Sequence, residues 1–370
     1  MQPTIMKHLV LGVLFILLGC GPDFDVENGL GNRIDTLNYD NVPYEDYLKG
    51  LPCETEVEYG ERIIPTGDDC NLYVREMGEG EPILFLHGGW GHDLEPLYWS
   101  FRGLAEENRL IFYDQRGSLR SRCQSSDEIS VESHVSDMEL IINELGLENV
   151  TIVAHSMGGY LAQRYLYDHG HANINGMLLL GTLPPKFSMG DWLPMRQEAE
   201  ERIRRPEVVQ AFQKAGLDSV TQDDYTDKER SEWGLIAQAA VNLHDISRWP
   251  YFRGAFGYQE STGQRSAITM EQNFSCPGFL EEICAYLDMR FFRSWDFREA
   301  LAQADFPVYY IHGKDDFLDY KIHIKGVKKA PNTYLKVIPK AGHLIWIDQP
   351  EVISDLMVNL LRKAEKDSEK

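Results

Sequence analysis

The chain has 370 residues, 43% of them hydrophobic and 25% charged, the balance of a folded globular protein and not of a disordered or fibrous one. Its 58 Asp and Glu against 36 Lys and Arg leave a net charge of −22, a field that repels nucleic acid and argues against it as a partner. Six cysteines occur without close metal-ligand spacing, so composition offers no zinc or iron–sulfur pattern.

Residues 1–19 carry one lysine, Lys7, followed by an apolar run from Leu9 to Leu18. That run falls short of the ~20 residues a membrane-spanning helix needs but suits the apolar region of a signal peptide. Leu17-Leu18-Gly19-Cys20 resembles the lipobox of bacterial lipoproteins. The resemblance implies that Cys20 is lipidated, becomes the mature N-terminus and anchors the protein in the cell envelope, outside the cytoplasm. Residues 20–52 are acidic, rich in Gly and Asn and without apolar periodicity, and are expected to form a flexible tether. In an envelope setting disulfides are permitted. The expected pairs are Cys53 with Cys70 and Cys276 with Cys284, leaving Cys123 free.

From residue 55 onward the pattern is strand, turn, strand, then strand and helix in alternation. "EVEYGERII" and "NLYVREM" flank Pro65-Thr66-Gly67-Asp68-Asp69 and predict a hairpin. Six short apolar runs follow, at 83–89, 110–117, 150–159, 176–182, 308–316 and 334–343, each ending in Gly, Asp, His or Ser. Runs of that kind are parallel strands buried on both faces. Helical periodicity lies between them, at 131–145, 157–168 and 351–364, so the fold class is α/β. The rhythm breaks between 182 and 308, where about 125 residues stand in place of a short crossover. Their helical, aromatic content predicts a cap inserted over the carboxyl edge of the sheet, where ligands bind in open α/β folds. The expected boundaries are 53–183 and 306–364 for the two parts of the core, 184–305 for the cap and 365–370 for a charged tail.

"VTIVAHSMGGYLAQRYLYD" places Ser156 where a buried strand turns into a helix. Such a turn forces the side chain outward and needs small neighbours two positions either side, here Ala154 and Gly158. Three other segments end at the same edge: His87-Gly88-Gly89-Trp90-Gly91, Asp316 at the end of "HGKDD", and His343 in "AGHLIW". The order Ser, Asp, His is that of α/β-hydrolases, and residues 55–363 resemble that superfamily. "HGGWG" and "DQRGS" look most like the proline iminopeptidase branch, serine peptidase family S33. This chain has Trp90 where that branch usually has proline and Leu119 where it has glycine, and it retains Ser121. The resemblance implies a mostly parallel α/β-hydrolase sheet and acyl transfer: Ser156 as nucleophile, His343 as base, and Asp316 orienting the imidazole, with Asp315 as the alternative. The N–H groups of Gly89 and Met157 would face the oxyanion. Asp114-Gln115-Arg116-Gly117 is read as a structural turn and His87 as a support of the oxyanion loop. His155 falls on the other face of the turn and has no assigned role.

No metal or cofactor is expected. His312, Asp315, Asp316 and His323 do not make a metal set, since His312 is read as strand core and Asp316 as part of the triad. Three functions fit. The first is an aminopeptidase or iminopeptidase on short peptides, with Trp90 in the substrate site and Glu271 and Glu232 from the cap holding a free amine, as the branch's cap glutamates do. The second is an esterase, lactonase or amidase for small apolar acyl compounds, favoured by the aromatic cap. The third is a tethered binding protein that has lost the chemistry, against which the ordered triad argues.

Overall fold

The computed structural model describes residues 34–36, 58–89, 92–118, 120–121, 123, 129–188, 191–217, 227–251, 258–259, 264–265 and 294–368. The leader, Cys20, Cys53, Trp90, Glu271, Cys276 and Cys284 lie outside them. In chain order the strands are β1 (Ile34–Thr36), β2 (Tyr59–Pro65), β3 (Asn71–Met77), β4 (Glu81–Leu86), β5 (Asn108–Tyr113), β6 (Val150–His155), β7 (Ile174–Leu180), β8 (Lys186–Phe187), β9 (Tyr258–Gln259), β10 (Gln264–Arg265), β11 (Trp295–Asp296), β12 (Val308–Gly313) and β13 (Thr333–Ile338). The helices are α1 (Glu95–Phe101), α2 (Val131–Glu144), α3 (Met157–His169), α4 (Trp192–Ile203), α5 (Pro206–Lys214), α6 (Asp227–Asn242), α7 (Arg298–Gln303), α8 (Ile324–Lys329), α9 (Ile345–Asp348) and α10 (Pro350–Ser368).

Nine strands form one sheet in the order β1-β13-β12-β7-β6-β4-β5-β3-β2. Pairing is parallel from β1 to β5 in that order and antiparallel for β5–β3 and β3–β2 at the far edge. Every residue of β6, β7 and β12 is buried, as the continuous apolar runs require of strands covered on both faces. At the other extreme β2 buries one of its seven residues, Ile64, because it is an edge. Helix α2 shows how the covering layer is built. Ser130 and Ser133 cap it reciprocally, the Ser130 hydroxyl accepting from the Ser133 N–H at 3.0 Å and the Ser133 hydroxyl from the Ser130 N–H at 2.9 Å. Val131, Val135, Met138 and Ile142 then bury one face at helical spacing.

Two features depart from the sequence reading. Ile34–Thr36, inside the segment expected to be a flexible tether, pairs in parallel with Leu335–Val337 as an edge strand. The β-branched Ile34 and Thr36 suit an extended strand beside an open edge. The second departure is a disulfide between Cys70 and Cys123. It replaces the expected Cys53–Cys70 pair and leaves Cys123 bonded. The cause is a loop that folds back on the hairpin: the Ser121 hydroxyl donates to the Asp114 carbonyl at 2.5 Å and accepts from the Tyr73 N–H at 2.8 Å. Arg116 meanwhile reaches Asp68 at 2.8 Å and, through two nitrogens, Asp137.

Helices α4, α5 and α6 lie in the insertion between β7 and β12. Its stem is the antiparallel pair β8–β11, where Phe187 opposes Trp295 with rings stacked at 4.7 Å. The Trp295 indole N–H donates to the Pro184 carbonyl at 2.9 Å. The insertion therefore closes at 295–296, ahead of the boundary expected at 305. The order of strand addition reverses between β4 and β6: β5 lies on one side of β4, while β7, β12 and β13 lie beyond β6. A reversal opens a crevice at the carboxyl ends of the two strands.

Candidate active site

The loop after β4 and the turn after β6 meet at that crevice. Ser156 follows six buried strand residues and precedes α3 with φ 52° and ψ −117°. A serine at positive φ carries strain of order 1–3 kcal/mol, held here by two bonds. Its N–H donates to the Leu180 carbonyl at 3.0 Å, and its carbonyl accepts the Thr182 hydroxyl at 2.8 Å. The small residue at 158 is a steric need, since a Cβ there would lie 2.6 Å from both the Leu86 and His87 carbonyl oxygens. Gly88 is pinned in the same way, its Cβ position being 2.9 Å from the Ser156 Cβ. Met157 opens α3, so its N–H belongs to a first turn without intrahelical acceptors. Gly89, with φ 62°, lines the cavity alongside Ser156.

His343 and Asp316 arrive from the loops after β13 and β12. The His343 Nδ1 and Asp316 Oδ2 are 2.9 Å apart, and both side chains are buried. Asp316 Oδ1 accepts the Leu318 N–H at 2.9 Å. Burial alone would raise this carboxyl, but the fields of His343 and His312 and the bonds from His343 and Leu318 bring it below the ordinary aspartate value. Asp315 is half-buried and pairs with His244 at 2.9 Å, which leaves Asp316 as the partner of the imidazole. The cap secures this loop, because the N–H groups of His343 and Leu344 donate to the Asn242 carbonyl at the end of α6.

The cavity is lined by His87, Gly88, Gly89, His92, Asp93, Pro96, Leu97, His155, Ser156, Gln238, Asn242, Phe317, His343, Leu344, Trp346 and Ile347. Four imidazoles are among them, and that of His343 is hydrogen-bonded to a carboxylate. His87 accepts the Gln115 N–H at Nε2, 2.9 Å, which directs Nδ1–H to the Gly88 carbonyl at 3.0 Å. Burial lowers its pKa, as it lowers that of His92 to about 4 and that of His155 well below the ordinary value. These three are neutral walls at pH 7. His155, given no role from sequence, stands beside the serine with its ring 4.7 Å from that of His343 and 4.6 Å from Trp346. The strand alternation that was expected to turn it away ends at the Ser156 turn. Asp114 and Gln115 hold the segment after β4: Asp114 accepts the Leu94 N–H at 2.9 Å and Gln115 donates to the His87 carbonyl at 2.7 Å. Glu232 lies on α6, about 9 Å along the helix axis from the cavity-lining Gln238.

An open, mostly parallel sheet, with a serine on a strained strand-to-helix turn and an imidazole–carboxylate pair reaching one cavity at the carboxyl edge, is the arrangement of the α/β-hydrolase class. The family profile described as "alpha/beta hydrolase fold" matches residues 81–350, and the chain belongs to that family of enzymes. It is 27% identical to a non-heme chloroperoxidase of Kitasatospora aureofaciens over 295 residues, covering 76% of this chain and 91% of the relative. It is 28% identical to a proline iminopeptidase of Clostridioides difficile over 292 residues, covering 75% and 90%. Among solved structures, an esterase from Exiguobacterium antarcticum superposes with a TM-score of 0.53 at 21% identity, covering 79% of this chain and 96% of that one. That last likeness concerns the fold. Iminopeptidase relatives thus stand beside peroxidase and esterase-type ones, and the resemblance read from "HGGWG" and "DQRGS" settles at the level of the superfamily.

Proposed function

We propose that this enzyme is a serine hydrolase for carboxylic esters with small uncharged acyl groups. The supporting observation is the company Ser156 keeps: one cavity holds it, His343 bonded to Asp316, and the apolar side chains of Pro96, Leu97, Phe317, Leu344, Trp346 and Ile347, while the Asp93 carboxylate in the same lining accepts the Glu95 N–H at 2.9 Å. The described part of the cap adds the neutral amides Gln238 and Asn242, which can orient a carbonyl but offer no charge to an ammonium group. In the reaction Ser156 attacks the carbonyl carbon while His343 takes its proton. The oxyanion that forms is held by the N–H groups of Gly89 and Met157, each worth about 3 kcal/mol. His343 returns the proton to the departing alkoxide, leaving an acyl-serine. A water, deprotonated by His343, then releases the acid and restores the serine.

The iminopeptidase relative supports a second reading, in which Glu271 binds a substrate amine. Assay of the purified chain on short p-nitrophenyl esters beside prolyl and alanyl p-nitroanilides separates the two. Ester turnover exceeding anilide turnover by more than a hundredfold supports the first. Efficient anilide cleavage that Glu271→Gln abolishes, with N-blocked substrates unaffected, overturns it in favour of the peptidase. We further propose that Cys20 carries the lipid that holds the enzyme to an envelope membrane; the support is the segment from Leu9 to Cys20.

A further inference from the structure

His312, at the end of β12, belongs to neither the cavity wall nor the triad, yet it meets the triad carboxylate from behind. Its Nε2 lies 2.6 Å from the Leu318 carbonyl oxygen and 3.3 Å from Asp316 Oδ2, with the side chain buried. Both neighbours are acceptors, so the proton sits on Nε2. Nδ1 has no hydrogen-bond partner among the described residues, as a bare lone pair in an apolar place would show. The Leu318 N–H donates in turn to Asp316 Oδ1. The His312 N–H thereby holds the Leu318 carbonyl, the Leu318 N–H holds Asp316 Oδ1, and the edge of the His312 ring stands 3.3 Å from the Oδ2 that bonds His343.

We propose that His312 is a positioning residue for the hydrolytic reaction, fixing Asp316 and drawing charge from the oxygen that faces His343. The consequence has a sign. The more negative Oδ2 is, the more firmly it holds a proton on His343, and the base form is the one that activates Ser156. With its N–H dipole 3.3 Å from Oδ2 and its hold on Leu318, His312 keeps that form populated at lower pH. The groups facing His312 are Asp316 and Asp319 from the following loop, His323 with its ring 4.8 Å away, Tyr310 behind His323, and His343 from the loop after β13. Burial keeps His312 and His323 neutral and the Tyr310 phenol protonated, so none of these three titrates across the working range. This inference rests on the reading of Ser156 and His343 as nucleophile and base.

The test is the kcat/KM–pH profile of His312→Phe and His312→Gln on a p-nitrophenyl ester. Phenylalanine keeps the ring packing and removes the donor, whereas the glutamine amide reaches the same acceptors. The acid limb of His312→Phe is expected about half a pH unit above that of the parent, the equivalent of one modest hydrogen bond. KM should be unchanged and kcat lower by about tenfold, with the limb restored in His312→Gln. Where His312→Phe does not fold, His312→Asn, whose amide is too short to span to Asp316, takes its place. An unmoved acid limb, or equal profiles for the donor and non-donor variants, overturns the proposal. Turnover that survives Ser156→Ala shows instead that the underlying triad reading has failed.

Discussion

Gly158→Ala tests whether the oxyanion site is built by steric contact between α3 and the loop after β4. The added methyl would lie 2.6 Å from two backbone oxygens, Leu86 O and His87 O, and 3.0 Å from the Leu86 carbonyl carbon. An ordinary carbon–oxygen contact is about 3.4 Å, so each overlap is roughly 0.8 Å. Neither oxygen can move alone: Leu86 ends a central strand, and the His87 carbonyl accepts the Gln115 side chain at 2.7 Å. The strain has one outlet, which is to push the start of α3 away from the Gly88–Gly89 loop. Overpacking of this kind costs about 1–3 kcal/mol, against which replacing a helical glycine by alanine returns up to about 1. With both terms at their upper ends stability should fall by about 2 kcal/mol. Activity should fall further, because separating the Met157 and Gly89 N–H groups forfeits one oxyanion donor, about 3 kcal/mol or two orders of magnitude in kcat. Thermal melting and ester turnover on the same preparation distinguish the two losses. A Gly158→Ala enzyme with kcat within threefold of the parent would refute the steric account.

Ser156→Ala should lower turnover of every substrate by at least about 10⁴-fold while the melting temperature stays within a degree or two; residual rates within tenfold of the parent would remove Ser156 from the reaction. Replacing Cys70 and Cys123 together by serine opens a loop with a sequence separation of 53, for which chain entropy gives an upper figure of about 4 kcal/mol. Since Ser121 and Arg116 still hold the loop to the hairpin, a loss of about 2 to 4 kcal/mol is expected in denaturant titration, and a midpoint insensitive to reductant in the parent would contradict the bridge. Cys20→Ser should release the protein from the detergent-extracted membrane fraction, and fatty acid still co-purifying with that variant would end the lipid-anchor proposal.

Much of the sheet was legible because its central strands are buried on both faces and carry no alternation to confuse with helix. "VTIVAH" and "VYYIHG" are continuous apolar runs closed by a polar residue, and both became strands. The hairpin was legible from Pro65 to Asp69, and α2 from its periodicity. Ser156, Asp316 and His343 each end or follow such a run, so chain order alone placed them at one edge. What stayed hidden depends on contacts between distant segments. Cys70 meets Cys123 only because Ser121 and Arg116 fold the intervening loop onto the hairpin. His155 enters the cavity because the backbone twists to positive φ one residue later. Ile34–Thr36 is too short to show a period.

The stem of the insertion has a further meaning. Phe187 and Trp295 stand opposite one another as paired strand residues, so the chain leaves the sheet and returns to it at one place. Loop-closure entropy grows only with the logarithm of length, and residues 188–294 can be shortened, lengthened or exchanged at little cost to the sheet beneath. The insertion is thus a cassette whose ends are already clipped together, and it contributes Gln238 and Asn242 to the cavity. Several contacts limit the exchange: beside the Asp315–His244 pair, the Asp348 carboxylate accepts the His244 and Asp245 N–H groups, and Arg248 donates to the Ile347 carbonyl at 3.0 Å. The Asn242 carbonyl inside the cassette receives the His343 and Leu344 N–H groups, so any replacement must bring its own acceptor to that point or leave the base on an untethered loop.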